Sequence, residues 1–225
     1  GLLQGRLVAS NGTPGRFGWK GQTATLREFV TDACANELGL SLEEKHEPAP
    51  QYSFAMHSRG RDLSTEQVDA LVAYVASLPA PRQVMPREKL AQEWVENGRR
   101  RFESIGCAQC HLPDVGTVQR IYSDLLLHDM GSETAGIGTS YFDNREVPIH
   151  PVCGMGIPQD AQPSEWRTPP LWGCRDSAPY LHDGRAATLE QAILMHGGQS
   201  LPSVRAFQAL TNHQRMELLR FLETL

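Results

Sequence analysis

Cys107-Ala108-Gln109-Cys110-His111 places two cysteines and a histidine in a Cys-x-x-Cys-His run near the middle of the chain, and this spacing constrains the fold more than any other feature. Two thiols three residues apart on a short helical turn reach the two vinyl groups of one porphyrin, and the adjacent imidazole then falls under the iron as its proximal ligand. The run therefore predicts one covalently attached haem c on Cys107, Cys110 and His111. A redox dithiol would want a βαβ context, which is absent, and a zinc site would want a second Cys-x-x-Cys or a His-x-x-His. The residues upstream agree with haem. Pro86 stands at a helix start, Glu88 to Ser104 carry Leu90, Trp94, Val95 and Phe102 at helical spacing, and Gly106 closes the segment.

A helix leading straight into Gly-Cys-x-x-Cys-His is how a cytochrome c domain begins, and composition leaves room for more than one such domain. The chain has 225 residues, 40% hydrophobic and 21% charged, with a net charge of −5. The longest apolar run, around Leu71 to Val75, falls far short of the roughly 20 residues a membrane helix needs. A mildly acidic chain without a dense basic stripe argues against nucleic acid as a partner. Twenty glycines and 15 prolines point to much irregular structure, above all from Leu112 to Trp166, which reads as a long haem-wrapping insertion. Five cysteines, an odd number, exclude an all-disulfide framework. Attachment of haem c in a bacterium takes place outside the cytoplasm, so a periplasmic location is expected and disulfides are permitted. Cys153 and Cys174 bracket a Gly/Pro-rich loop and form the expected pair, worth ~3 kcal/mol by loop-closure entropy. Cys34, on a helix face with Phe29, Val30 and Leu38, reads as a buried small hydrophobe.

Two segments recur in order. Gly21 to Val30 matches Gly184 to Ile193, and Leu63 to Leu78 matches Leu210 to Leu225, both without a gap. All four carry one helix-start device: Thr25 with Glu28, Ser64 with Gln67, Thr188 with Gln191, and Thr211 with Gln214. Leu71, Tyr74, Val75 and Leu78 correspond to Leu218, Phe221, Leu222 and Leu225, one apolar stripe drawn twice. Ordered matches with shared caps indicate duplication. Cys107 precedes Gly184 by 77 residues, whereas only 20 residues precede Gly21, so a first haem motif in the same register would lie before Gly1. Residues 1–84 thus read as the tail of one cytochrome-like domain whose haem segment is absent from this chain, or as a copy that lost its haem. Residues 85–225 read as a complete haem domain, and Pro79 to Pro86 as the linker.

Five clusters carry a family resemblance: Gly15-Arg-Phe-Gly-Trp-Lys20, Gly106 to His111, Ser123-Asp-Leu-Leu-Leu-His-Asp-Met-Gly131, Glu165-Trp-Arg-Thr-Pro-Pro-Leu-Trp-Gly173 and Leu181-His-Asp-Gly-Arg185. Together they resemble the bacterial di-haem oxidoreductase family. The Arg-Thr-Pro-x-Leu and His-Asp-Gly pieces are also similar to di-haem cytochrome c peroxidases and MauG-type proteins. The resemblance implies a periplasmic c-type cytochrome with two haems in the full protein, of which this chain carries the C-terminal one. In the peroxidase relatives that haem takes up electrons, while peroxide reacts at the other.

Candidates for the sixth ligand are His128, Met130, His150, Met155, His182, Met195 and His196. The resemblance implies a distal ligand after the helix that follows the His-x-Gly segment, and the position that is Met in the peroxidases and Tyr in the MauG type is His196 here. His196 also ends a short capped helix just before Gly197-Gly198, where the chain can turn closely around a porphyrin. Bis-histidine ligation by His111 and His196 is therefore favoured over His/Met ligation through Met195 or Met130. His182 reads as structural first, and His128 with Asp129 could line the pocket. Arg167 is placed at a propionate by its motif, with Arg185 a weaker candidate. Trp94, Trp166 and Trp172 read as packing, and Arg99 to Arg101 as a solvated helix face.

The expected fold is mainly α: part of one cytochrome c-like domain followed by a complete one with long loops. The expected function is one-electron transfer through covalent haem within a larger di-haem oxidoreductase, with a redox protein or a second haem domain as partner. The alternative is a peroxidase centre with an open or displaceable sixth site, where His128 or His182 serves as acid/base.

Overall fold

A computed structural model describes residues 4–10, 12–45, 60–136 and 161–225. Among them the chain is helix-rich. Six α-helices run α1 (Leu26–Asn36), α2 (Thr65–Ser77), α3 (Lys89–Ser104), α4 (Leu189–Leu194), α5 (Leu201–Ala209) and α6 (Asn212–Leu222). Two short antiparallel strand pairs join β1 (Ala9–Ser10) to β2 (Thr13–Pro14), and β3 (Leu127–Asp129) to β4 (Glu165–Arg167). None of these helices is long and apolar enough to cross a membrane. The described residues fall into two compact units, one of residues 7–10, 12–45, 60–79 and Ala161, the other of residues 4–6, 80–136 and 162–225.

The repeated helix starts form as their residue types dictate. Thr25, Ser64 and Thr211 each accept from the backbone N–H three residues on, while Glu28, Gln67 and Gln214 return the bond to the cap backbone. Thr188 accepts from Gln191 N–H, but the Gln191 side chain reaches one residue further back and takes Ala187 N–H at 2.8 Å. The turns before α1 and α4 match as well. Phe17 bridges Thr23 as Tyr180 bridges Ala186, and Leu181 at φ 70° occupies the place of Gly18 at φ 81°.

The two apolar stripes fare differently. In the larger unit Leu218, Phe221, Leu222 and Leu225 are all buried, packed with Val95 and Phe102 of α3 and with Tyr122, Cys174 and Phe207. Phe102, Tyr122 and Phe221 meet edge to face with centroids 5.5–5.9 Å apart. In the other unit Val30, Cys34, Leu42 and Val68 form the core, with Leu71 and Val75 partly buried against it, whereas Tyr74 and Leu78 are 63% and 52% exposed. The stripe is only half covered because, among the described residues of that unit, no helix corresponds to α3. Leu90 and Leu38 are likewise exposed rather than core: Leu90 lies in the first turn of α3 off its buried face, and Leu38 lies past the end of α1.

α3 and α6 cross at Gly98, where a Cβ would stand 2.0 Å from Glu217 O. Glu217, 2% exposed, accepts from Arg101 Nε at 2.7 Å and from Asn97 Nδ2 at 2.8 Å. Arg101 therefore turns inward and leaves the expected solvated face, while Arg99 and Arg100 keep to it through Glu96 and Glu103. Burial alone would raise the Glu217 carboxyl, but the Arg101 and Asn97 bonds outweigh it and hold the group below its ordinary 4.5. Ionised Glu217 thus stabilises the fold above pH 4.5, and that contribution is lost as pH falls through the lower folded value. Urea titrations should show stability falling on acidification below pH 4.5, with a shallower slope in Glu217→Gln. An unchanged slope would remove Glu217 from the acid response.

Cys34 is a buried free thiol, raised by burial. Cys174 is also free and buried, and its Sγ donates to Leu222 O at 3.2 Å. The expected bridge from Cys174 is therefore not formed: the sulfur is spent on a core carbonyl. Its proposed partner Cys153 lies outside the described residues.

Candidate haem-binding site

α3 ends at Ser104, and Gly106, at φ 92°, reverses the chain into a 3-10 turn over Cys107–Gln109. A left-handed residue is needed there, which is why glycine precedes the first cysteine. His111 N–H donates to Cys107 O at 3.0 Å, so the two sulfurs and the imidazole are carried on one hydrogen-bonded turn. Cys107 packs on the core of its unit, and burial pushes its thiol up to about 12. A dithiol oxidoreductase needs the opposite, a thiolate favoured at neutral pH. His111 Nδ1 donates to Tyr122 O at 2.8 Å. Burial pushes the ring down to about 4, helped by nearby His196 and His128, so it is neutral at pH 7.

His196 repeats this state. It follows α4 and its C-cap Met195, and its Nδ1 donates to Ala192 O at 2.7 Å. Burial lowers it too. Neither Nε2, of His111 or His196, makes a hydrogen bond to a described residue. A neutral imidazole whose Nδ1–H is held by a carbonyl presents the Nε2 lone pair to a metal, the tautomer an axial ligand requires. After His196 the chain is pressed against residues 129–131, where β3 ends. A Cβ on Gly197 would stand 2.5 Å from Met130 O, and one on Gly198 would stand 2.3 Å from Asp129 O.

The remaining sequence candidates take distinct places. His128, 3% exposed, faces Asp124 Oδ2 at 2.7 Å through Nε2 and Gln199 Oε1 at 3.0 Å through Nδ1. Burial works against its charge, but Asp124 and the Cys110 sulfur outweigh that and raise it to about 10. Cys110, Asp124 and His128 bring ligand-type atoms within 4.8 Å of one another. Within that group His128 Nε2 is hydrogen-bonded to Asp124 Oδ2. His182 stacks on Trp166 at 3.8 Å between centroids, and Trp166 Nε1 donates to Thr134 O at 3.0 Å. Burial pulls Arg167 down to about 10. Arg185 is held by Asp183 and by Glu133 O. Met195 is 39% exposed. His150 and Met155 lie outside the described residues. Asp124 and Gln199 were given no role by sequence reasoning; their signals are that Asp124 stands in the Ser123–Gly131 cluster four residues before His128, and Gln199 three residues after His196.

The residues fit a haem on two counts. The donor set comprises two thiols on one turn and two neutral imidazoles with Nε2 available. Trp172 Nε1, in the segment whose Leu171 N–H donates to Ile121 O beside the His111 loop, is buried and has no hydrogen-bond partner. A buried N–H without an acceptor is costly in a finished protein, and a haem propionate would supply one.

A helix-rich chain with this donor set belongs by class among haem-based redox proteins. Comparison makes the class specific: residues 10–225 match the family described as "Di-haem oxidoreductase, putative peroxidase", and the chain belongs to that family. It is 25% identical over 154 residues to hydrazine synthase subunit gamma of Kuenenia stuttgartiensis, covering 60% of this chain and 42% of that protein. It is 31% identical over 128 residues to the methylamine utilization protein MauG of Methylorubrum extorquens (strain ATCC 14718 / DSM 1338 / JCM 2805 / NCIMB 9133 / AM1), covering 53% of this chain and 31% of that protein. The chain thus spans less than half the length of either curated relative. A crystal structure of a MauG-like protein associated with microbial copper homeostasis shares the fold, at a TM-score of 0.53 and 21% identity over 99% of this chain and 77% of that one.

Proposed function

We propose that residues 85–225 form a cytochrome c-like domain holding one haem, covalently bound through Cys107 and Cys110 and ligated by His111 and His196. The domain passes single electrons within a larger periplasmic di-haem oxidoreductase. The observation that carries this reading is the matched state of the two histidines, each with Nδ1 donating to a main-chain carbonyl and each lowered by burial. Bound haem supplies a reversible one-electron couple. The chain's own residues hold and insulate it. Tyr122 O and Ala192 O fix the ring tautomers, the Phe102, Tyr122 and Phe221 cluster backs the attachment turn, and Arg167 and Trp172 would receive the propionates. The electron partner is a second haem domain or a redox protein.

Low-temperature EPR of the ferric, haem-loaded protein tests the reading. With both axial positions filled by imidazole, the resting signal is low-spin. A high-spin resting signal would overturn bis-histidine ligation and favour the peroxidase centre instead. His196→Met should raise the midpoint potential by a sizeable share of the roughly 0.8 V that axial ligands span. An unchanged potential in a titration of that variant would show that residue 196 is not a ligand.

A further inference from the structure

We propose that His128 is the positioning residue of the sixth-ligand segment: its ring ties the chain just beyond His196 to the haem-attachment side through Gln199 and Asp124. The inference rests on the reading of His196 as an axial ligand. Each ring nitrogen meets an oxygen acceptor, Asp124 Oδ2 at 2.7 Å and Gln199 Oε1 at 3.0 Å, so both donate, with the Cys110 sulfur beside the Asp124 side. Asp124 is itself anchored, because its Oδ1 accepts Leu126 N–H at 2.9 Å. Its carboxylate and the His128 ring stand beside the sulfur of Cys110 in one cluster. At the other end Gln199 lies in the 3-10 turn Gly198–Ser200, three residues past His196.

Main chain closes on the ring from the segment Gly5–Arg6. A Cβ on Gly5 would stand 2.7 Å from His128 Nε2, and Arg6 beside it is hydrogen-bonded to Leu127 through both backbone groups at 2.8 Å. On the opposite strand Trp166 is registered directly across from His128. With both nitrogens committed, the ring holds no lone pair or spare proton for an incoming oxidant; what it can do is fix the two segments it joins. Fixing the residues after a ligand limits how far that ligand can leave the metal, which is the role of outer-shell hydrogen bonds at metal sites.

The test uses the full haem-loaded chain and stopped-flow binding of cyanide to the ferric form, which requires His196 to leave. Gln199→Leu removes the acceptor, whereas Gln199→Glu keeps an oxygen opposite Nδ1. Cyanide binding in Gln199→Leu should be ~10-fold faster than in the parent, with a new high-spin fraction by EPR, as expected for loss of an outer-shell partner. Gln199→Glu should bind no faster than the parent. His128→Ala should show the larger effect, and if it fails to load haem the two Gln199 variants still decide. A Gln199→Leu protein that keeps the parent rate and a purely low-spin signal would overturn the proposal. Equal acceleration in Gln199→Glu and Gln199→Leu would do so too, since the hydrogen bond would then be irrelevant. Failure of the underlying ligation reading is separately visible, as a high-spin signal in the parent before any variant is made.

Discussion

A chain with Cys107 and Cys110 both replaced by alanine is expected to lose covalent haem completely. Burial holds Cys107 as a thiol, up to about 12, and its side chain packs on the apolar core instead of facing a cation that would draw out a thiolate. Such a sulfur is held as a thiol and lacks the cationic surroundings that activate a thiolate for disulfide exchange. His111, kept neutral and oriented by Tyr122 O, is untouched by the double substitution, so the variant can still bind haem loosely. The discriminating measurement is made under denaturing conditions. Intact mass spectrometry should find the parent heavier than its polypeptide by one haem and the variant at the bare polypeptide mass. A parent at the bare mass after expression with haem-attachment machinery would refute covalent attachment.

Gly98→Val should be nearly as damaging, through packing alone. Glycine in the middle of a 16-residue helix costs about 1 kcal/mol against alanine, so its presence in α3 needs a reason. The reason is the crossing: a Cβ would stand 2.0 Å from Glu217 O, 2.7 Å from Glu217 C and 2.8 Å from Phe221 Cβ. Two of those atoms are main-chain atoms inside α6 and cannot swing aside as a side chain would. Separating the helices would also loosen Phe102 from Phe221 and Arg101 from Glu217. We expect a loss of ~3 kcal/mol or more, which for a chain of this size lowers Tm by roughly 6–12 °C. Gly60→Ala, with no described residue within 4 Å of its new Cβ, is the control and should shift stability by less than ~0.5 kcal/mol. Thermal melts in which both variants behaved alike would place the helix crossing elsewhere.

Helix starts and the attachment turn were legible in the sequence because each is a local device. A Ser or Thr three residues before Glu or Gln fixes its own cap, and Cys-x-x-Cys-His needs only one turn of chain. The short helix after Thr188, which carries the chain to His196, was legible for the same reason. What escaped depends on contacts across the fold. β3 and β4 have three residues each, too few for an alternation to register, yet their pairing sets His128 opposite Trp166. Gln199 and Asp124 lie 75 residues apart in the chain and meet only through His128. Arg101 looked like its two arginine neighbours because charge patterning along a helix does not show which residue faces a buried carboxylate. Cys174 looked like half of a disulfide because spacing does not reveal a core carbonyl within reach of its sulfur.

The glycine seam beside His196 has a consequence for engineering. Gly197 and Gly198 abut main-chain atoms of residues 129 and 130, so the rim around position 196 is built from backbone and tolerates no added atom. The side chain at 196 carries none of that closure. On the proposed ligation, the frame around position 196 is fixed and its side chain is the exchangeable insert, so a different residue at 196 is expected to retune the couple while the frame stays as it is.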